Sequence, residues 1–151
     1  MKKIICILAV LPLLLTACDI ETSDNGDFDG YWHLVSVDTL ATSGHCDLSG
    51  NTIFWAVQFK LMRLRGAERI REGGNGREFY ERFELSRNSL TLFDPHEKNR
   101  EKEDPAITEE RLLELRPYGI NALRERFEIL LLDKDEMVLK SSVLELRFRK
   151  R

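Results

Sequence analysis

Between Cys18 and Phe59 the chain has no lysine and no arginine, yet it carries seven acids: Asp19, Glu21, Asp24, Asp27, Asp29, Asp38 and Asp47. A polyanion-binding protein needs a basic stripe with interleaved aromatic residues, and none can form over this stretch. Residues 60–151 hold 21 basic and 19 acidic groups, so the rest is close to balance. The cluster Arg147, Arg149, Lys150 and Arg151 reads as the solvated end of a strand. Nucleic acid is not an expected partner.

Histidine and cysteine are equally scarce, three of each. His33, His45 and His96 stand at no motif spacing. His45, Cys46 and Asp47 are consecutive, and neighbouring strand residues point to opposite faces, so they would not converge on one ion. Cys46 as a nucleophile, with His33 or His45 as its base, needs an electropositive niche, which a stretch without lysine or arginine does not supply. Paired carboxylates select nothing in a chain that is 32% charged. The glycine-rich GGNG at 73–76 lacks the Lys and Ser or Thr of a phosphate cradle, and Arg77-Glu78-Phe79 starts a strand, so a hairpin loop is expected there. The expectation is a protein that is not an enzyme, with no cofactor and no metal.

Long apolar runs are absent too. The longest, Ile4 to Leu15, is interrupted by Pro12 and is too short to span a bilayer. With Met1, Lys2 and Lys3 before it, it has the layout of a secretory signal peptide. The residues that close it, Leu15-Thr16-Ala17-Cys18, resemble the lipobox of bacterial lipoproteins. That resemblance implies cleavage after Ala17 and a diacylglycerol on the Cys18 sulfur. Each buried methylene of such an anchor contributes about 0.8 kcal/mol, so the protein would be held to a membrane without crossing it. Cys6 would leave with the signal and Cys18 would carry lipid, leaving Cys46 as the single thiol and excluding a disulfide framework within the monomer.

The chain therefore divides into a signal peptide (1–17), a tether (18–29) and one domain (30–151). The tether, DIETSDNGDFD after the cysteine, is acidic and poor in apolar residues and is expected to be flexible. Acidic residues directly after the lipidated cysteine resemble the tag that exports lipoproteins to the surface of some Gram-negative bacteria. In others an Asp here retains the protein at the inner membrane. The expected location is a Gram-negative cell envelope, with the outer membrane preferred to the inner.

The domain alternates like a sheet. Residues 31–39 (YWHLVSVDT) are aromatic and β-branched, and 53–65 (IFWAVQFKLMRLR) places Ile53, Trp55, Val57, Phe59 and Leu61 on one face of a strand. REFYERFEL sets Phe79, Phe83 and Leu85 opposite Tyr80, Arg82 and Glu84, and Asn88-Ser89 turns the chain into LTLF. From Asp94 to Asp104 nothing apolar appears, which predicts a solvated loop. A short helix with Leu112 and Leu115 at helical spacing follows from Thr108 and ends at Arg116-Pro117. RFEILLL, EMVLKS and VLELRFRKR complete the strands, the last with Leu144, Leu146 and Phe148 on one face. About seven or eight strands with one short helix suggest an antiparallel barrel, which removes exposed edges. A β-sandwich is the alternative.

Gly30-Tyr31-Trp32, at the start of the first strand, resembles the G-x-W signature of lipocalins and related calycin barrels. "GYWHLV", "FWAVQFKL" and "MVLKS" resemble segments of small lipocalin-like bacterial lipoproteins of unknown function. The resemblance implies an all-β lipocalin-like barrel in which Trp32 plugs the closed end beneath an Arg of the last strand, a place open to Arg147 or Arg149. The chain departs from the pattern in having no T-D-x-x-Y stretch and no disulfide, and its helix lies between strands.

Trp32, Trp55, Phe59 and Phe83 are the barrel-interior or ligand candidates. With them Phe148, Leu34, Val57, Leu61, Leu85, Leu131, Leu139 and Leu146 are expected to point inward. Two functions follow. One is a binding barrel that holds a small hydrophobic ligand, as the resemblance implies. The other is a non-enzymatic interaction or scaffold protein with a packed barrel that docks an envelope protein through loops such as 94–106 or 40–51. Interior volume discriminates between them: an eight-stranded barrel is just wide enough to be filled by side chains or to keep one small ligand.

Overall fold

The computed structural model describes residues 22–66 and 77–151. Among them are nine strands: β1 (Gly30–Thr39), β2 (Gly44–Asp47), β3 (Phe54–Gln58), β4 (Leu61–Arg65), β5 (Phe79–Leu85), β6 (Ser89–Glu97), β7 (Arg124–Leu132), β8 (Glu136–Lys140) and β9 (Leu144–Lys150). Every pairing is antiparallel, in the order β2-β1-β3-β4-β5-β6-β7-β8-β9, and β1 also pairs with β9. That last pairing closes eight strands into a barrel. The ninth, β2, folds back on the second half of β1, matching Ser36–Thr39 with Asp47–Gly44. Closure satisfies the edge hydrogen bonds that an open sheet would leave bare.

One stretch expected as a single strand is a hairpin. Residues 53–65 alternate without interruption, but Phe59 and Lys60 form a turn and Gln58 pairs with Leu61. Phe59 takes a left-handed φ of 56°. The turn inverts the phase, so that after Trp55 and Val57 the inward positions resume at Met62 and Leu64, while Phe59 and Leu61 are 40% and 44% exposed. Leu131 is also misplaced by alternation alone: an irregularity between Ile129 and Leu131 shifts the register with β8, and Leu131 faces solvent. Leu85 is half-buried against the core, whereas Leu34, Val57, Leu139, Leu146 and Phe148 lie within it.

The connections differ from expectation as well. β6 runs on through Asp94 to Glu97, with Pro95 buried, so the polar loop is shorter than 94–104. The short helix is built of 3₁₀ turns, Glu109–Glu114 and then Arg116–Tyr118. Its backbone bonds run from Arg111 N–H to the Thr108 carbonyl and from Leu115 N–H to the Leu112 carbonyl, and Pro117 bars an α-helical continuation. The end of the segment expected as a flexible tether, 18–29, is packed instead. Phe28 is fully buried and Asn25 nearly so, so the packed domain includes the segment from Asn25 onward. The GGNG stretch, expected as a hairpin loop, lies outside the described residues, as do the expected signal peptide and Cys18.

Candidate functional site

The strand ends define two ends of the barrel. At one end the chain crosses beneath the start of β1, and Phe28 packs edge-on against Phe83, ring centroids 5.1 Å apart. Trp32 is fully buried here, and its indole N–H donates to the Phe28 carbonyl at 2.8 Å. The cation over Trp32 is Lys150, its Nζ 4.7 Å from the ring centroid. This corrects the expectation of Arg147 or Arg149. Register decides it: Trp32 pairs directly with Lys150 and shares its face, whereas Arg149 pairs with His33 and points outward. The Lys150 ammonium also donates to the Asp27 carbonyl at 2.7 Å, which ties the plug to the last strand. Gly30 has a φ of 127°, and a Cβ there would lie 2.9 Å from Lys150 Cε. The glycine of the G-x-W stretch thus makes room for the cation over the tryptophan.

Asp29 completes this end. Burial raises its pKa, but hydrogen bonds from the Ser23 hydroxyl, the Asn25 side chain and the Asn25 N–H, with Lys150 nearby, outweigh burial and hold the carboxyl below its usual range.

Trp55 on β3 pairs directly with Trp32 on β1. It is fully buried, 4.7 Å from Phe148 and 6.0 Å from Phe127 by ring centroids. β3 and β7 face each other across the closed ring of eight strands, so the Trp55–Phe127 contact spans the barrel. The other end is covered by residues 107–121. Ile107, Leu115, Tyr118 and Ile120 are buried in the same cluster as the barrel interior. Trp55 Nε1–H donates to the Tyr118 carbonyl at 3.2 Å, and the Tyr118 ring packs against Phe79. Gly119, φ 87°, lies so close to Leu146 that a Cβ would come within 2.7 Å of its methyl carbons.

Two carboxylates sit in this apolar interior. Glu81 on β5 is 1% exposed, and its Oε1 has no hydrogen-bond partner. Burial, reinforced by the nearby Glu125 carboxylate, pushes the Glu81 pKa well above its ordinary value. Glu125 on β7 is buried as well and accepts from the Asn121 N–H and, at 3.0 Å, from the Ala122 N–H, fastening the end of the covering segment. Sequence reasoning passed over both, although the signal was present. Glu81 falls in phase with Phe79 and Phe83, and Glu125 in phase with Phe127, so each acid lies on the apolar side of its strand.

Of the four candidates, Trp32, Trp55 and Phe83 are interior, and the structure brings them into one cluster. Phe59 is not; it stands on the β3–β4 turn. The three histidines are dispersed. His33 contacts the Asn51 carbonyl at 2.7 Å and the Arg151 guanidinium at 3.3 Å, His45 pairs with Asp38 at 2.5 Å on the exposed β1–β2 hairpin, and His96 lies between Asp94 and the Asp104 carbonyl. Among the described residues no group of three or more His, Cys, Asp or Glu is placed to hold a metal. Cys46 is a free, exposed thiol.

A family model described as a lipocalin-like domain matches residues 13–151. No curated protein matches the chain. A crystal structure of a lipocalin-like protein from Bacteroides uniformis is similar over 83% of this chain and 100% of its own, with a TM-score of 0.61 and 16% identity. An uncharacterized protein from Bacteroides eggerthii aligns over 82% of this chain and 99% of its own, with a TM-score of 0.56 and 17% identity.

Proposed function

The chain belongs to the family of lipocalin-like domains, and from that premise we propose that it is an envelope lipoprotein, held to the membrane by acylated Cys18, whose packed barrel serves as a non-enzymatic scaffold that docks an envelope protein. The observation that carries this reading is the Trp55–Phe127 contact, 6.0 Å between centroids, made across the barrel. It puts side chains across the middle of the barrel, and Phe28 of the plug and Tyr118 of the cover belong to the same buried cluster. The surface offered to a partner is the β1–β2 hairpin. β2 is exposed along its whole length and, among the described residues, pairs with β1 alone, which suits addition of a partner strand to its other edge. Asp19 and Glu21 behind the anchor favour the outer membrane of a Gram-negative envelope over the inner.

A second reading, a small hydrophobic ligand held in the barrel, is supported by Glu81. A buried carboxyl oxygen without a partner, Glu81 Oε1, would be satisfied by a ligand with an apolar body and one hydrogen-bonding head. Native mass spectrometry of the mature protein recovered from its own host's envelope separates the two. A mass equal to the acylated polypeptide alone supports the packed scaffold. A stoichiometric small-molecule adduct, lost in a folded Trp55→Ala variant, would overturn it in favour of the binding barrel.

A further inference from the structure

Four observations converge on the β3–β4 turn. Phe59 in the turn and Leu61, the first residue of β4, are large apolar side chains left 40% and 44% exposed. Phe59 holds a left-handed φ of 56°, a conformation that costs a bulky L-residue energy and that Gly or Asn would adopt with less strain. Phe59 is not a member of the buried core cluster, so core packing does not account for an aromatic residue there.

The turn is also tied to the segment that leads to the N-terminus. The Phe59 N–H donates to the Ser23 hydroxyl at 2.7 Å, the Asn25 side chain donates to the Phe59 carbonyl at 2.6 Å, and Lys60 lies 3.6 Å from Asp24. Cys18 is thus only a few residues before a serine that touches the turn, a distance that an extended chain covers in at most about 17 Å. Finally, Leu61 shares a groove with Lys60, Arg82, Phe83 and Phe93. The Lys60 and Arg82 side chains are 73% and 67% exposed and are paired loosely, with Asp24 and with Asp94 at 3.3 Å. Long cationic stems beside exposed apolar side chains suit a membrane interface, where the apolar groups enter the acyl boundary and the charged heads remain among the lipid phosphates.

We propose that the plugged end of the barrel is a membrane-docking surface, with Phe59 and Leu61 inserted at the bilayer interface and Lys60 and Arg82 facing lipid phosphates. The inference rests on the anchoring of Cys18. A bilayer holding that lipid would lie within reach of the turn, and docking would fix the barrel's orientation with its covered end and β2 directed away from the membrane. Of the other exposed leucines, Leu130 and Leu131 lie toward this same end near the β7–β8 turn, whereas Leu113 belongs to the far cover and Leu40 to the β1–β2 connection, also at the far end.

The test uses the mature, acylated chain reconstituted in vesicles of phosphatidylethanolamine and phosphatidylglycerol. In a Cys46→Ser background, an environment-sensitive nitrobenzoxadiazole label is placed at Phe59→Cys, at Lys60→Cys or, as the reference, at Leu113→Cys. Docking predicts a blue-shifted label at 59, severalfold less quenched by aqueous iodide than at 113 and quenched by lipids brominated near the headgroup. Lys60→Cys gives the same contrast if Phe59→Cys fails to fold. An intact mass that carries the acyl chains, together with equal iodide access at 59, 60 and 113, overturns the docking surface and leaves the anchor standing. An intact mass without acyl chains overturns the anchor, and the docking surface with it.

Discussion

Glu81→Gln probes the interior through its pH dependence. Glu81 is 1% exposed and unpaired at Oε1, and burial with the Glu125 carboxylate nearby raises its pKa well above the ordinary 4.5. In the unfolded chain the carboxyl ionises near that ordinary value. Above it, the unfolded state has released a proton that the folded state keeps, so stability falls as pH rises until the folded pKa is passed. The slope is tenfold in the folding equilibrium per pH unit, on the order of 1 kcal/mol. Gln has the same shape and does not titrate.

The stability of Glu81→Gln relative to wild type should therefore be lowest near pH 4 and grow in the variant's favour as pH rises above it, until the folded pKa of Glu81 is passed. Other groups do not confuse the comparison. Asp29, Glu78 and Glu114 are held low, so their contributions are present above their ordinary pKa values and are lost only as the solution is acidified below them. His96 is raised, chiefly by its bond to the Asp104 backbone, so it loses stability as pH rises through its folded pKa, equally in both proteins. Urea unfolding of residues 22–151 at constant ionic strength, followed by tryptophan fluorescence, measures the difference. A difference that stays constant across this range would refute the reasoning.

Trp55→Ala should lose about 3–5 kcal/mol, because the cavity opens where the ring contacts Phe127 and Phe148 and the Tyr118 carbonyl loses its donor; a urea midpoint close to wild type would mean that the ring is not packed. Gly119→Ala should cost roughly 1–3 kcal/mol through its left-handed φ and the approach to Leu146, read as a lowered thermal midpoint. Phe59→Gly should leave thermal stability unchanged or raise it, since an exposed ring at positive φ is removed, whereas Phe83→Ala should lose about 3–5 kcal/mol; similar losses for both would return Phe59 to the core. Cys46 should react with maleimide in the native protein at a rate close to that of a free thiol peptide, as its exposure on β2 implies.

Much of the barrel was legible because period-two alternation is a local property. β1, β5 and β9 each place apolar residues on one face, and the outcome is the buried set Trp32, Leu34, Phe79, Phe83, Leu146 and Phe148. The Gly30-Tyr31-Trp32 stretch marked the plugged end only through its resemblance to the lipocalin signature, because the cation that Gly30 makes room for, Lys150, is brought there by pairing with the last strand. Alternation does not disclose where a strand stops pairing forward and turns back. IFWAVQFKLMRLR keeps its pattern through Phe59 and Leu61, and only the pairing of Gln58 with Leu61 reveals the hairpin.

Residue types and their order determined that this chain builds strands with one apolar face and carries no long apolar run. The tertiary structure decided what depends on register between distant strands. It set Lys150 instead of an arginine over Trp32, turned Leu131 outward through an irregular pairing, and buried Glu81 and Glu125 within the barrel. It also brought Trp55 against Phe127 from opposite sides of the ring. A side chain's face is set by its own strand, but its neighbours across the barrel are set by closure, which no local pattern encodes.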